Sequence, residues 1–160
     1  MTNIRVGTGY DVHQLKAGLP FLLGGINIQH TKGIVAHSDG DIIFHALADA
    51  LLGAAGLGDI GHFFPDTNSK YKNINSGKIL SSVIQNLSTL SYQIINVDVT
   101  VVLENPKLSP MISKIKKSVA LHLEIDIDRV NIKATTSERM GFVGREEGIV
   151  CQATVLIEKI

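Results

Sequence analysis

DGDIIFHALADALLGAAGLG, residues 39–58, is the stretch whose reading sets the fold. From Asp39 onward apolar side chains recur at helical spacing, with Ile42, Ile43, Ala46, Leu47, Ala50 and Leu51 on one side. This predicts a helix running to Ala55 and stopped by Gly56 and Gly58. Toward the N-terminus, Ile4 to Val12 alternates loosely and is rich in Val, Ile, Thr and Tyr, which predicts a strand broken by two glycines. A second strand or hairpin is expected at Phe21 to Ile28, around Gly24 and Gly25.

Toward the C-terminus, GLGDIGHFFPDTNSKYKN suits an irregular functional loop. Ser76 to Leu90 then predicts an amphipathic helix, and Ile94 to Leu103 a strand with Val97, Val99, Val101 and Leu103 on one face. Pro106 and Pro110 bracket a turn into a third helix ending near Leu123, and final strands are expected at Val130 to Thr135 and Ile149 to Glu158. This order indicates an α+β or α/β layer in which helices cover one face of a mixed β-sheet. In a chain this short, the same face of identical subunits is the expected cover for the other side, hence a homo-oligomer.

With 160 residues and 44% hydrophobic content, the chain reads as a single domain, residues 1–160, able to bury a core without disulfides. Its 15 basic and 15 acidic side chains cancel, so no long-range field draws it to nucleic acid or an anionic membrane, and a phosphate ligand must be held by local groups. Aromatics at 5% and the absence of Trp argue against base-stacking platforms. No segment approaches the roughly 20 apolar residues of a membrane span. The N-terminal MTNIRVGTGYDVHQL lacks a leader pattern, so a cytoplasmic location is expected, consistent with the single Cys151.

In an extended segment Asp11 and His13 point to the same side. His45 lies within the predicted helix, in a polar stripe with Asp41 and Asp49 that must face water or a metal. Two imidazoles and a carboxylate suit zinc and leave its fourth tetrahedral position open, the mark of a catalytic site. The spacing also permits an ordinary reading, with Asp11 ending a strand, His13 on the surface and His45 a satisfied helix residue.

His37-Ser38-Asp39-Gly40-Asp41 opens the same helix, where Ser38 or Asp39 is the expected N-cap and free N–H groups attract anions. Thr135-Thr136-Ser137-Glu138 combines hydroxyls that donate to phosphate with a carboxylate that can hold Mg2+, though the run also reads as a capping box. Arg145 suits a bidentate phosphate contact or a solvated turn. Asn105-Pro106-Lys107-Leu108 either lines a cleft or simply turns the chain.

Together, five ordered blocks resemble the 2-C-methyl-D-erythritol 2,4-cyclodiphosphate synthase family nearly end to end. They are Gly9 to Gln14, Ala36 to Asp41, His45 to Ala54, Gly58 to Asp66 and Lys133 to Gly148. The resemblance implies a homotrimer with active sites at subunit interfaces, each using one Zn2+ and one Mg2+ or Mn2+. It also implies release of CMP from a cytidine diphosphate substrate. By match to the family motifs, Asp11, His13 and His45 hold zinc, Glu138 helps hold the second metal, and His37 and Thr136 stabilise the transition state. Asp59, Ile60 and Gly61, with Phe64, Pro65, Asp66, Thr67 and Asn68, meet the methylerythritol part, and Ser38 binds substrate. The segment around Pro106, Lys107 and Leu108, with Thr135 and Thr136, forms the cytidine pocket, and Phe142 and Arg145 lie near the trimer axis. Two rival readings use the same residues: a zinc phosphodiesterase with metal-bound water as nucleophile, and a non-catalytic nucleotide sensor around a structural metal.

Overall fold

The computed structural model describes residues 3–65 and 74–160. Its spine is β1 (Ile4–Ala17), antiparallel to β7 (Gly148–Lys159) along most of its length and to β4 (Lys32–Val35) at its C-terminal end. On the far side β7 pairs antiparallel with β5 (Tyr92–Val102), and β5 pairs parallel with β6 (Val130–Thr135). The five strands form one mixed sheet in the order β4-β1-β7-β5-β6. A small hairpin of β2 (Leu22–Leu23) and β3 (Ile26–Asn27) turns at Gly24 and Gly25, both with positive φ.

The fold is α+β, as expected. α1 (Ile42–Ala55) lies across β1 and β7 and packs on α3 (Ser76–Thr89), while α4 (Ile112–Leu123) covers β6 and touches α3. Because α1 is enclosed between the sheet and α3, it is buried nearly all round rather than along one stripe: Phe44, His45, Ala48 and Leu52 are buried along with the predicted side.

Gly7 and Gly9 do not break β1, which runs through both to Ala17. A Cβ at Gly7 would stand 2.0 Å from the Ala50 carbonyl oxygen, and one at Gly9 would stand 1.9 Å from that of Ala46. The glycines allow the small-residue face of α1 to lie directly on the strand, and continuous pairing with β7 keeps the strand extended. This close approach brings the next residues on that side of β1, Asp11 and His13, up to His45.

The cap of α1 also differs from expectation. It is Asp41, whose carboxylate accepts from the N–H groups of Ile43 at 3.2 Å and Phe44 at 3.3 Å. The same side chain accepts from Gly24 N–H at 2.8 Å and Gly25 N–H at 2.5 Å, tying the hairpin to the helix start. Asp41 therefore faces backbone donors, not water or a metal, and leaves the polar stripe read from the sequence. β4, unmarked in the sequence reading, pairs with the end of β1. The expected irregular loop contains a short helix, α2 (Ile60–Phe63). The capping box read at Thr135 to Glu138 does not form: the next helix, α5 (Gly141–Gly144), is flanked by Met140 without a side-chain cap, and Glu138 and Arg139 have φ of 53° and 62°.

The sheet face away from the helices exposes a row of apolar side chains on β1: Ile4, Val6, Tyr10 and Val12. Val6 is 65% and Tyr10 62% accessible.

Candidate active site

Asp11 and His13 project from the helix side of β1, and His45 comes from the first full turn of α1. Asp11 Oδ2 lies 3.0 Å from His13 Nε2 and 3.1 Å from His45 Nδ1, and the two ring nitrogens are 3.3 Å apart. Ligands bonded to zinc at roughly 2.0–2.2 Å in a tetrahedron stand about 3.3–3.6 Å from one another, so the set has nearly the edges of one tetrahedral face. Among the described residues this is the one group of three such side chains able to share an ion. The other carboxylate oxygen, Asp11 Oδ1, accepts from the Val12 N–H at 2.8 Å, which turns Oδ2 toward the rings.

Burial acts to raise the Asp11 pKa, but hydrogen bonds to His13 and His45 and their charge outweigh it and hold the carboxyl well below the usual range. For His45 burial acts to lower the pKa, and the bond to Asp11 outweighs it and raises it. An ion binding at these atoms must displace any proton they carry.

Behind the cluster, His45 Nε2 meets two hydroxyls, Ser76 Oγ at 2.9 Å and Ser38 Oγ at 3.2 Å. Ser76 is fully buried and bonds onward to Asp39 Oδ1. Asp39 Oδ2 accepts from Asn75 Nδ2 and Ser76 N–H, both at 3.0 Å. Ser76 and Asp39 were not among the predicted site residues. Asp39 was visible only as a possible cap, and Ser76 lies far from it in sequence at the start of another helix.

One turn beyond His45 on α1, Asp49 Oδ1 accepts from the Ile60 N–H at 2.8 Å and so anchors α2 beside the cluster. Asp59 caps α2 through the His62 N–H at 3.0 Å, with Ile60 and Gly61 in its first turn and Phe64 and Pro65 just after it. Asp66, Thr67 and Asn68 lie outside the described residues. His37 is exposed on the segment between β4 and α1.

Of the remaining predicted residues, Pro106, Lys107, Leu108, Thr135, Thr136 and Glu138 form a second group. Pro106, Lys107, Leu108 and Thr135, with Leu103, Ile112 and Thr136, line a cleft of about 190 Å³. The Asn105–Pro106 peptide at its mouth is cis. A polar hollow of about 600 Å³ adjoins it, shares Lys107 and Thr136, and includes Glu138 and Arg139. A single oxygen, Glu104 Oε1, accepts from Ser137 N–H at 3.0 Å, Ser137 Oγ at 3.1 Å and Arg139 N–H at 3.2 Å. These bonds pin the left-handed turn that presents Glu138. Phe142 is exposed, and Arg145 is held in a fork by Glu147, with both bonds at 3.0 Å.

Both groups sit at the same end of the sheet. Asp11 pairs with Cys151, Cys151 with Val101, and Val101 with Ala134, which sets the metal-type cluster and the cleft three strands apart. At about 4.8 Å per strand, that is about 14 Å. Among the described residues no hydrogen bond or ion pair joins Asp11, His13 or His45 to the residues that line the cleft.

A protein from Haemophilus ducreyi named 2-C-methyl-D-erythritol 2,4-cyclodiphosphate synthase is 50% identical over 156 residues, 98% of each chain. One of the same name from Neisseria gonorrhoeae is 50% identical over the full length of both. Among solved structures, the bifunctional IspDF from Campylobacter jejuni matches with TM-score 0.96 at 41% identity; the match takes in all of this chain and 43% of that one. The CDP complex of IspF from Plasmodium falciparum matches with TM-score 0.87 at 34% identity, covering 99% of this chain and 98% of that one. The YgbB family profile matches residues 4–158, and the chain belongs to the YgbB family.

Proposed function

We propose that the protein converts 4-diphosphocytidyl-2-C-methyl-D-erythritol 2-phosphate into 2-C-methyl-D-erythritol 2,4-cyclodiphosphate and CMP, in the non-mevalonate isoprenoid pathway. The observation that carries this reading is the Asp11, His13 and His45 set, whose three ligand atoms are spaced for a tetrahedral ion and come with no fourth protein ligand among the described residues. Full-length relatives of that name and CDP complexes of structural neighbours support it.

In this reading Asp11, His13 and His45 hold Zn2+, and Glu138 holds Mg2+ or Mn2+ at the diphosphate. When bound, the two cations supply positive charge against the phosphate oxygens. The substrate's own 2-phosphate oxygen forms the new bond to the β-phosphorus. The bond from that phosphorus to the α-phosphate oxygen breaks, and CMP leaves with the electron pair. The nucleophile is already anionic, so the protein needs no base of its own, and its work is to hold the two ends in line. Pro106, Lys107, Leu108 and Thr135 take the cytidine end. Ser38, Asp59, Ile60, Gly61 and the Phe64 to Asn68 segment take the methylerythritol phosphate end. His37 and Thr136 donate to oxygens that gain charge in the transition state.

A substrate held at both ends must bridge the cluster and a cleft. The separation of about 14 Å within one chain supports a site completed by the cleft of a neighbouring subunit. The apolar outer face of β1 supports a homotrimer with that face at its core, where Phe142 and Arg145 approach the axis. No helix of the described residues is long and apolar enough to cross a membrane, which is consistent with work in the cytoplasm.

Incubation of the purified protein with the cytidylyl substrate, Zn2+ and Mg2+, followed by phosphorus NMR, should show a cyclic diphosphate and free CMP. Chelation and His13→Ala should each remove the activity. A linear product that carries solvent oxygen would instead make the protein a phosphodiesterase.

A further inference from the structure

We propose that Ser76, held by Asp39, is a positioning residue that sets the tautomer of His45 and thereby selects Nδ1 as its metal-binding atom. The inference rests on the metal site proposed above and extends it to two residues outside the ligand set. A neutral imidazole has one N–H and one lone pair, and a metal takes the lone pair. His45 Nδ1 faces Asp11 and His13, so the ring proton must sit on Nε2, where it needs a buried acceptor.

Ser76 Oγ stands 2.9 Å from Nε2. A hydroxyl can donate as well as accept, and one free to rotate would serve either tautomer. This one is not free, because its proton is directed onto Asp39 Oδ1. Asp39 is held in turn by Ser76 N–H and Asn75 Nδ2 on Oδ2 and by Asp41 N–H at 3.3 Å on Oδ1. With its proton committed, Ser76 offers His45 only a lone pair, and the chain from Asp39 through Ser76 to His45 has one direction.

Ser38 Oγ reaches the same nitrogen from 3.2 Å, but it is only half-buried and already accepts from the Gly40 N–H at 3.1 Å. The nearer, fully buried Ser76 is therefore the standing acceptor. Ser38 is left to turn its proton outward, toward a phosphate oxygen of the substrate. The arrangement also ties the first residue of α3 to the ligand helix α1, so the cluster is braced from a second helix.

The test reads the metal, not turnover. Zn2+ affinity is measured by competition with a chromophoric chelator, and Co2+ spectra report the ligand field, for the wild type, Ser76→Ala and Ser38→Ala. Loss of a partner behind a ligating histidine costs about 10-fold to 100-fold in metal affinity, and that loss is expected for Ser76→Ala. Ser38→Ala should stay within about 3-fold on the same scale, well below that range. The cap of α3 is Asn75 rather than Ser76, so the variant retains the helix start.

Independently of any variant, long-range proton–nitrogen NMR of the metal-loaded wild type should show His45 coordinated through Nδ1, with a slowly exchanging proton on Nε2. Coordination through Nε2, or equal affinity of Ser76→Ala and wild type, overturns the inference and leaves the metal site standing. A wild type that binds no divalent ion at these residues removes the metal site and the inference with it.

Discussion

Asp49 and Asp41 are both acidic, both on or beside α1, and both have raised pKa values because burial penalises the charged form. Their surroundings give them different consequences. Asp41 receives four backbone N–H groups, so Asp41→Ala removes a helix cap and strands the Gly24 and Gly25 donors. A cost of about 3 kcal/mol is expected from those two losses, read as a lowered midpoint in denaturant. Asp49 uses one oxygen for Ile60 N–H and otherwise faces the negative charge of Asp59 and Asp11. Because its folded pKa is raised, the metal-free protein loses stability as pH climbs from the ordinary carboxyl value of 3.8 through the folded value. Asp49→Asn keeps the acceptor and drops the charge. It should raise the melting temperature of the metal-free protein at about pH 7, and the gain should shrink as pH falls through the raised folded value to the ordinary carboxyl range. A gain that does not change with pH would sink this account.

At the scale of elements, the contact between β1 and α1 builds the metal-type cluster. Gly9→Ala would drive a methyl group into the Ala46 carbonyl oxygen, and the strand and helix would have to part. The expected cost is about 3 kcal/mol or more, and metal affinity should fall as well, since Asp11 and His13 ride on one element and His45 on the other. The second group depends on a turn. Glu104→Ala frees the Ser137 and Arg139 donors and should weaken binding of the proposed second metal, raising the Mg2+ concentration needed for half-maximal activity. Glu104→Gln, which keeps the single accepting oxygen, should restore most of it. Helical and strand periodicity made α1, α3, β5, β6 and β7 legible from the sequence. Gly7 and Gly9 misled because a glycine in a strand reads as a break, whereas here it marks the approach of a helix whose position lies outside the local sequence.

At the scale of the whole molecule, the exposed apolar row on β1 and the gap between the two groups lead to one expectation. Val6→Asp combined with Tyr10→Asp places charge on the open sheet face and should convert the proposed trimer to monomers in analytical ultracentrifugation. Zn2+ affinity should persist, because all three ligands belong to one chain, while cyclising activity is lost with the neighbouring cleft. Full activity in a monomeric variant would place the complete site within one subunit and end the interface reading.

Residue type and spacing alone determined the order of helices and strands and marked Asp11, His13 and His45 as a candidate ligand set, because periodicity and donor chemistry are local properties, whereas the cleft-lining segments came from the family resemblance. Tertiary structure alone decided that Asp41 caps α1 and holds a hairpin, that Asp39 and Ser76 stand behind His45, and that cluster and cleft lie three strands apart. Each of these is a contact between residues distant in the chain, chosen by which buried donor meets which buried acceptor once α1 settles on the sheet.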